Sequence, residues 1–417
     1  SGQILKNRDI LIEDNRIAKI GRDLKDEDND ETTNGHGKLA IPGLINCHTH
    51  LAMTLLRGYA DDMILQDWLN QKIWPLEAHL EPSDVYWGTR LACLEMIRTG
   101  TVAFNDMYFF MDQAARAVGD AGLRAVLSYG FIDLFDTERR EKEIRETERF
   151  VSGLKKQGNP KVVPGVGPHA IYTVSREGLS WLAGYAAEEE VLIHVHLSET
   201  EKEVVDAEKT WGMRPPLILD KCGILTARTV AAHCCWLSRD ECDLLARKGA
   251  HVSHNPVSNM KLAVNRAMPY PWLREAGVNV ALGTDGCASN NTLDLFREMK
   301  AAALLQKFSH NSQTLLPAGE ALHMATSAGA RALGIGNGTI APGEPADLIL
   351  IDRDAVCNVP LHTLESNLVY ACSGGAVRTT ICGGQVLMLD RFVPGQDEVL
   401  REAAEAAEGL VRRSGLA

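Results

Sequence analysis

Two histidines separated by one residue, His48 and His50, are the first side chains in the sequence whose spacing fits a chemical role. Residues two apart on a β-strand point to the same side, so both imidazoles can reach one metal ion. A zinc-like ion binds histidine nitrogens at about 2.0–2.1 Å. The pair alone does not distinguish a metal site from two polar loop histidines, so the prediction depends on the rest of the chain.

Four further polar residues follow other short apolar runs: His196, Glu199, His233 and Asp285. With the first pair, His196 and Asp285 complete a set of three histidines and one aspartate, which suits a catalytic ion that keeps one position open for water. The ion would lower the pKa of that water toward about 7. We expect Asp285 to take the proton of the water and Glu199 to carry a proton to the substrate. His233 would hydrogen-bond the attacking oxygen or the developing oxyanion.

The motifs that are absent narrow the kind of metal site. No H-E-x-x-H occurs, which excludes a helix-borne zinc protease, and the H-x-E and P-C-x-x-C pattern of base-editing deaminases is also missing. Imidazole and carboxylate ligands suit zinc, iron(II) and manganese(II), and one zinc ion per chain is the prediction. His194 faces the same way as His196 but one layer deeper, so we expect a hydrogen-bonded histidine of the core.

Residues that converge on one ion must be held by elements that end at one place. Eight short apolar runs predict strands, at residues 39–46, 102–106, 125–129, 162–167, 191–197, 230–233, 251–254 and 278–284. Helical patterns lie between them, including 84–98, 175–189, 238–248 and 293–306. This alternation predicts a (β/α)8 TIM barrel, whose active site forms at the carboxyl ends of the strands. The alternative is a doubly wound open sheet, but no nucleotide-type glycine loop follows the first strand.

The two ends of the chain carry a different pattern. Residues 10–20 alternate in hydrophobicity around a turn, and residues 347–352 and 379–389 are strand-like, with Gly383-Gly384 as a hairpin turn. We therefore predict a small β-sandwich domain built from both termini, residues 1–40 and 345–392. The metal-dependent hydrolase barrel would occupy residues 41–344, and a C-terminal helix residues 393–417.

Composition limits the partners and the compartment. The net charge of −12 disfavours nucleic-acid backbones and anionic membranes and fits a small neutral or zwitterionic substrate. No apolar run is long enough to span a bilayer, and no export leader opens the chain. The ten cysteines include no C-x-x-C, which predicts buried reduced thiols in a cytoplasmic protein. The start at Ser1 lacks methionine, so we expect a few native residues to be missing.

Over nearly its whole length the chain resembles the amidohydrolase superfamily. The resemblance is carried by residues 42–50 (PGLINCHTH), His196-x-x-Glu199, Ala232-His233, Ser253-His254-Asn255-Pro256, Gly283-Thr284-Asp285 and the sandwich motif at residues 342–348. Some members bridge two metal ions with a carbamylated lysine on the fourth strand. Here that strand ends in Gly167-Pro168-His169, without a lysine, which favours a single metal ion.

Within the superfamily the chain is similar to the methylthioadenosine/S-adenosylhomocysteine deaminases, and most of all to the 5′-deoxyadenosine deaminases. The similarity lies in Trp68-Leu69, Trp74-Pro75-Leu76-Glu77, Asp106-Met107-Tyr108-Phe109 and Gly167-Pro168-His169-Ala170. It implies that Glu77 binds the ribose hydroxyls and that His169 contacts the purine or ribose. It also implies that Trp68 packs over the substrate, and that Glu199 and Asp285 face its reacting end. We expect Trp74 to pack in the core instead.

The resemblance implies hydrolytic deamination of adenosine-type nucleosides by a homo-oligomer, a dimer or a tetramer. The substrates would be 5′-deoxyadenosine, S-adenosylhomocysteine, 5′-methylthioadenosine or adenosine, converted to the inosine analogue and ammonia. Two alternatives stay open: an amidohydrolase acting on a free base or a triazine, and a non-catalytic scaffold on the same fold. The 5′ substituent stays undecided, because the register of Arg139 and Arg140 after the third strand is not fixed by the sequence.

Overall fold

A computed structural model of the chain describes residues 4–24 and 31–416. The prediction that native residues precede Ser1 lies outside these ranges. The described strands are β1 (Asp9–Glu13), β2 (Arg16–Gly21), β3 (Lys38–Pro42), β4 (Leu44–Thr49), β5 (Thr101–Tyr108), β6 (Arg124–Phe131), β7 (Val162–Pro168), β8 (Leu192–Leu197), β9 (Thr229–His233), β10 (His251–His254), β11 (Val280–Leu282), β12 (Leu348–Asp352), β13 (Val377–Cys382) and β14 (Gln385–Met388).

The predicted (β/α)8 barrel is confirmed. Strands β4 to β11 are parallel and lie in chain order, each hydrogen-bonded to the next. The backbone N–H groups of Thr284 and Asp285 donate to the carbonyl of His48 at 3.1 and 2.9 Å. These two bonds connect the end of the last strand to the end of the first, where the predicted ligands lie.

The first predicted strand, residues 39–46, is wrong in one respect, because the structure divides it into β3 and β4. The two strands belong to different sheets, and Gly43 lies between them. A Cβ at Gly43 would lie 3.0 Å from the Cβ of Val102 on β5, which is tighter than side chains normally tolerate. Glycine therefore lets the chain leave one sheet and enter the barrel directly beside the next strand.

The small β-sandwich built from both ends is also present. Strands β14, β13, β12 and β3 form an antiparallel sheet in that order, and β1 pairs with β2 as a separate hairpin. Leu348 and Leu350 of the sheet pack against Ile10 and Ile12 of the hairpin. Ile349, on the opposite face, packs with the main core. The domain boundaries themselves stay a prediction.

Helices separate the strands of the barrel. In the described part of the chain, the α-helices of at least six residues, between these strands and after the last of them, are Pro82–Thr99, Met111–Ala121, Thr137–Gln157, Arg176–Glu188, Glu201–Trp211, Pro215–Lys221, Arg239–Lys248, Pro256–Lys261, Tyr270–Ala276, Leu295–Ser309, Ala318–Met324, Ser327–Leu333, Leu364–Tyr370 and Gln396–Ser414. Shorter helical segments include Leu65–Trp68, the π-helical turn Leu69–Ile73 and Trp74–Glu77. In the described part of the chain, none of the helices has the length and apolar character needed to cross a membrane.

Candidate metal centre and active site

His50 and His196 are held so that their Nε2 atoms lie 3.3 Å apart. His50 Nδ1 donates to the carbonyl of Met107 at 2.6 Å, and His196 Nδ1 donates to the carbonyl of His169 at 2.8 Å. The neutral form of each ring therefore presents the lone pair of Nε2 to the same point. Two lone pairs that face each other repel unless a cation lies between them, and metal-binding histidines are typically oriented through their other nitrogen in this way.

His48 is the third histidine of this group. Its ring is fully buried, and its Nε2 atom forms no hydrogen bond of regular geometry among the described residues. Its Nδ1 atom lies 2.7 Å from Nε2 of His194, which is buried one layer deeper in the barrel, as predicted. Candidate ligand nitrogens of His48, His50 and His196 all lie within 4.8 Å of one another. A buried ring nitrogen without a regular partner fits a metal ligand.

Asp285 follows the last barrel strand and lies close to two of these histidines. Its Oδ1 atom lies 3.2 Å from Nε2 of both His48 and His50. Its Oδ2 atom accepts hydrogen bonds from the hydroxyl groups of Ser258 at 2.6 Å and Ser289 at 2.8 Å. Burial alone would raise the pKa of Asp285, but the two histidines hold it well below its usual range. An ionised carboxylate beside three imidazoles suits a divalent cation such as zinc.

His233 lies at the end of β9 and shares the cluster with His48 and Asp285. The side-chain amide of Asn259 donates to His233 Nδ1 at 2.8 Å, which leaves the ring proton on Nε2. Burial lowers the pKa of His233 to about 4, so the ring is neutral at pH 7. His233 and Asp285 both have left-handed backbone conformations, with φ of +72° and +62°. Such conformations are uncommon outside glycine and concentrate at functional sites.

Glu199 is buried at the mouth of the barrel, two residues after β8. Burial raises the pKa of Glu199 to about 8, and the charge of Asp285 adds to the effect. Glu203, in the first turn of the following helix, accepts the backbone N–H groups of Ser198 and Glu199 at 2.9 and 2.8 Å. The turn that carries Glu199 is therefore anchored, and its carboxyl group is mostly protonated at neutral pH.

Glu77 is the last residue of the short helix Trp74–Glu77 and lines the same cavity as Glu199. The hydroxyl of Tyr108 donates to Glu77 Oε1 at 2.5 Å. Burial raises the pKa of Glu77 to about 7, and the bond from Tyr108 opposes that shift. The same cavity contains His169, whose Nδ1 lies 2.8 Å from the hydroxyl of Thr173. That hydroxyl donates to the carbonyl of Ala170, so His169 donates through Nδ1 and presents Nε2 as an acceptor.

One cavity brings most of the predicted site residues together. Its lining includes His50, Trp68, Glu77, His169, His196, Glu199, His233 and Asp285, while His48 lies directly behind. Trp68 is a buried wall residue whose indole N–H donates to the carbonyl of Ala60 at 3.0 Å. The prediction that Trp74 packs in the core is wrong. Its side chain is 39% exposed and lines the cavity, because the preceding π-helical turn shifts the helical register.

The side chains of Arg139 and Arg140 form hydrogen bonds elsewhere and do not line the cavity. Arg139 Nε donates to the carbonyl of Ile132 at 2.7 Å, and Arg140 donates to the hydroxyl of Ser175 at 3.2 Å. Among the described residues, neither a lysine nor an arginine lines the cavity. Nothing in the wall therefore offers a fixed cation to an anionic substituent.

Several residues that orient the site were missed by the sequence reasoning. Asn259 and Ser258 lie on one helix and contact His233 and Asp285 from another part of the chain, and Glu203 bonds the turn of Glu199 from the helix that follows it. Tyr108 stood in a noted motif without an assigned role. Tyr108 lies at a strand end, two residues after Asp106, and alternate residues share one side of a strand. That position could have marked Tyr108 as a candidate site residue.

The chain is similar to known proteins over most of its length. The model of the amidohydrolase family matches residues 39–387. A 5′-deoxyadenosine deaminase of Methanoregula boonei is 60% identical over 410 residues, which cover 97% of this chain and 93% of the relative. A 5-methylthioadenosine/S-adenosylhomocysteine deaminase of Archaeoglobus fulgidus is 46% identical over 408 residues, 98% of this chain and 96% of the relative.

A solved structure is also similar to this chain over nearly its whole length. An adenosine deaminase of Xanthomonas campestris with bound zinc has a TM-score of 0.92 to this chain at 34% identity, and the match covers 98% of this chain and 94% of the other. The family model and the relatives both span the barrel and the strand ends that carry the metal centre. The chain therefore belongs to the amidohydrolase family.

Proposed function

We propose that the chain is a metal-dependent hydrolytic deaminase of adenosine-type nucleosides, which forms the inosine analogue and releases ammonia. The observation that carries this proposal is one cavity whose lining includes His50, His196 and Asp285 of the histidine–aspartate cluster together with the Glu77 carboxylate. A base and a ribose joined as one ligand need two such recognition points. The names of the relatives in Methanoregula and Archaeoglobus support the same chemistry.

The residues that would hold one divalent ion are His48, His50, His196 and Asp285. When bound, such an ion lowers the pKa of a water molecule toward about 7 and thereby supplies a nucleophile at neutral pH. We propose zinc, which the solved relative contains. Iron(II) and manganese(II) suit the same donor atoms.

Glu199 and Asp285 have opposite protonation states, which suits an acid and a base in one reaction. Protonated Glu199 donates to the ring nitrogen beside the carbon that carries the amino group, which makes that carbon a better electrophile. Asp285 stays ionised and accepts the proton of the attacking water. Asp285 then passes this proton to the leaving amino group, which departs as ammonia, and the remaining proton of the added hydroxyl returns to Glu199 as the C=O bond forms.

His233 and His169 address other atoms of the substrate. The N–H at Nε2 of neutral His233 can donate to the oxygen that develops negative charge at the reacting carbon. His169 Nε2 can accept a hydrogen bond from a nucleoside hydroxyl or amino group. Neither ring needs to change its protonation state to play this role, because burial lowers the pKa of His233 to about 4 and that of His169 to about 3.

Glu77 would accept hydrogen bonds from the two ribose hydroxyls, as a carboxylate does well for paired donors. Apolar and aromatic side chains also line the cavity, among them Phe109, Ile132 and Trp74. Because no arginine or lysine of the described residues lines the cavity, we propose that uncharged 5′ groups fit better than the homocysteine group of S-adenosylhomocysteine.

The test is a substrate panel in which only the 5′ group changes. Zinc-loaded protein is incubated with 5′-deoxyadenosine, 5′-methylthioadenosine, adenosine and S-adenosylhomocysteine, and ammonia and product are measured. At least one nucleoside should be converted, with S-adenosylhomocysteine among the poorer substrates. Adenine, guanine and a chlorotriazine are the matched controls. Turnover of a control with silence on every nucleoside would favour the free-base or triazine alternative, and silence on all with no bound metal would favour the scaffold.

A further inference from the structure

Three consecutive residues at the end of β5 form hydrogen bonds that hold other segments of the chain around the cavity. Asp106 Oδ1 accepts the backbone N–H of Leu51 at 2.9 Å, and the carbonyl of Met107 accepts from His50 Nδ1 at 2.6 Å. Tyr108, the last residue of the strand, donates to Glu77 at 2.5 Å. The strand end therefore fixes one histidine of the candidate metal centre and also the carboxylate proposed for the ribose.

We propose that Tyr108 is a positioning residue that sets the specificity for the ribose diol by holding the Glu77 carboxylate in its binding orientation. This proposal rests on the proposed function, because it concerns how that function recognises its substrate. Tyr108 is buried, with 4% of its surface exposed, and its hydroxyl reaches across from the barrel to the separate segment that carries Glu77. The bond therefore connects a rigid strand to a short helix that follows an irregular turn.

The chemistry of the pair fits this role. A carboxylate has about four acceptor positions, so one hydrogen bond from a phenol leaves enough for two ribose hydroxyls. The phenol is also a donor that stabilises the ionised carboxylate, which burial otherwise disfavours. A carboxylate that is already oriented and charged binds a diol with less reorganisation than a free one.

Tyr129 provides a matched control on the neighbouring strand β6. It lies directly beside Tyr108 in the sheet register, and its hydroxyl also bonds a carboxylate, that of Glu143. Tyr129 is absent from the cavity lining. Replacing Tyr129 with phenylalanine removes the same kind of hydroxyl group from the same barrel and leaves the proposed ribose site unchanged.

The experiment compares Tyr108→Phe, Tyr129→Phe and the wild-type enzyme on adenosine and on 2′,3′-dideoxyadenosine, all loaded with zinc and checked for equal metal content. A hydrogen bond to a charged group corresponds to a loss on the order of 10-fold or more in kcat/KM when it is removed. We expect that loss for Tyr108→Phe on adenosine, mostly through KM. On the dideoxy substrate, Tyr108→Phe should match the wild type, and Tyr129→Phe should show no substrate-dependent effect.

A double-mutant cycle with Glu77→Ala protects the test against misfolding, because removing both partners leaves no unpaired buried carboxylate. Glu77→Ala and the Glu77→Ala/Tyr108→Phe double variant should have equal kcat/KM on adenosine. Tyr108→Phe could instead lose kcat/KM equally on both substrates, or the double variant could lose more than Glu77→Ala. Either result would overturn the proposed role of Tyr108 and leave the proposed function untouched. A wild-type enzyme that deaminates neither substrate nor any nucleoside of the panel would instead overturn the proposed function, and the role of Tyr108 with it.

Discussion

The Nε2 atoms of His50 and His196 lie 3.3 Å apart, although the two residues are separated by 146 positions in the chain. Each ring is fixed by a bond from Nδ1 to a backbone carbonyl, so the approach of the two nitrogens is set by the barrel itself. Asp285 Oδ1 is 3.2 Å from His50 Nε2, and the two groups stabilise positive charge between them. This preorganisation is the physical basis of the predictions below.

Removal of the ion should abolish activity without unfolding the barrel. Dialysis against a chelator should remove about one ion per chain, as a site with four protein ligands implies, and zinc should restore turnover. His196→Ala should lose most of the bound ion in elemental analysis, while His310→Ala, which replaces an exposed histidine directly after the helix Leu295–Ser309, should keep it. Full metal content in His196→Ala would show that His196 is not a ligand.

Replacement of His233 should separate catalysis from metal binding. Because the proposed role of its Nε2 proton is to stabilise developing charge, His233→Ala should lower kcat by about 10²–10³ and retain the ion. Asn259→Asp should also lower kcat, since an acceptor at this position would draw the ring proton to Nδ1. Steady-state kinetics and elemental analysis of the same samples check both statements. If His233→Ala lost the ion, His233 would be a ligand instead.

The pH dependence should reflect the protonated form of Glu199. Because its pKa is raised to about 8, the acid is present at neutral pH and is lost as the pH rises through that value. The kcat/KM of the wild-type enzyme should therefore fall on the alkaline side, near pH 8. Glu199→Gln should lower kcat by about 10²–10⁴ and remove this alkaline limb. An unchanged alkaline limb in the variant would assign it to another group.

Gly283 should tolerate no side chain. A Cβ at this position would lie 2.8 Å from the Cβ of His48, at the closure of the barrel. Gly283→Ala should therefore lower the melting temperature and reduce metal content together, because His48 has to move. Gly319→Ala is the control, since a Cβ there meets no atom within 4 Å. Thermal unfolding that is unchanged in Gly283→Ala would show that the closure is looser than its geometry indicates.

The positions of the candidate ligands could be predicted from the sequence, because strands have a period of two and barrel sites form at strand ends. His48 with His50, and then His196 and Asp285, follow from that rule alone. The supporting contacts could not be predicted in the same way. Asn259 and Ser258 lie on the short helix Pro256–Lys261, and their approach to His233 and Asp285 depends on the closure of the barrel.

Local irregularity explains the two errors. Trp74 follows a π-helical turn, so an ordinary helical period assigns its side chain to the wrong side. Gly43 separates two strands that look continuous in hydrophobicity, and only the position of Val102 on the neighbouring strand shows why the chain changes sheets there. The change of sheet at Gly43 depends on a contact between distant segments, which a single sequence does not reveal.

The most direct test of the account is deamination of 5′-deoxyadenosine by the zinc-loaded enzyme in water enriched in 18O, analysed by mass spectrometry. The account predicts one ammonia for each substrate consumed and a product in which one 18O atom replaces the amino group. Glu77→Ala should form the same labelled product with a higher KM. Failure to convert 5′-deoxyadenosine or any other adenosine-type nucleoside by a folded, metal-loaded protein would contradict the account.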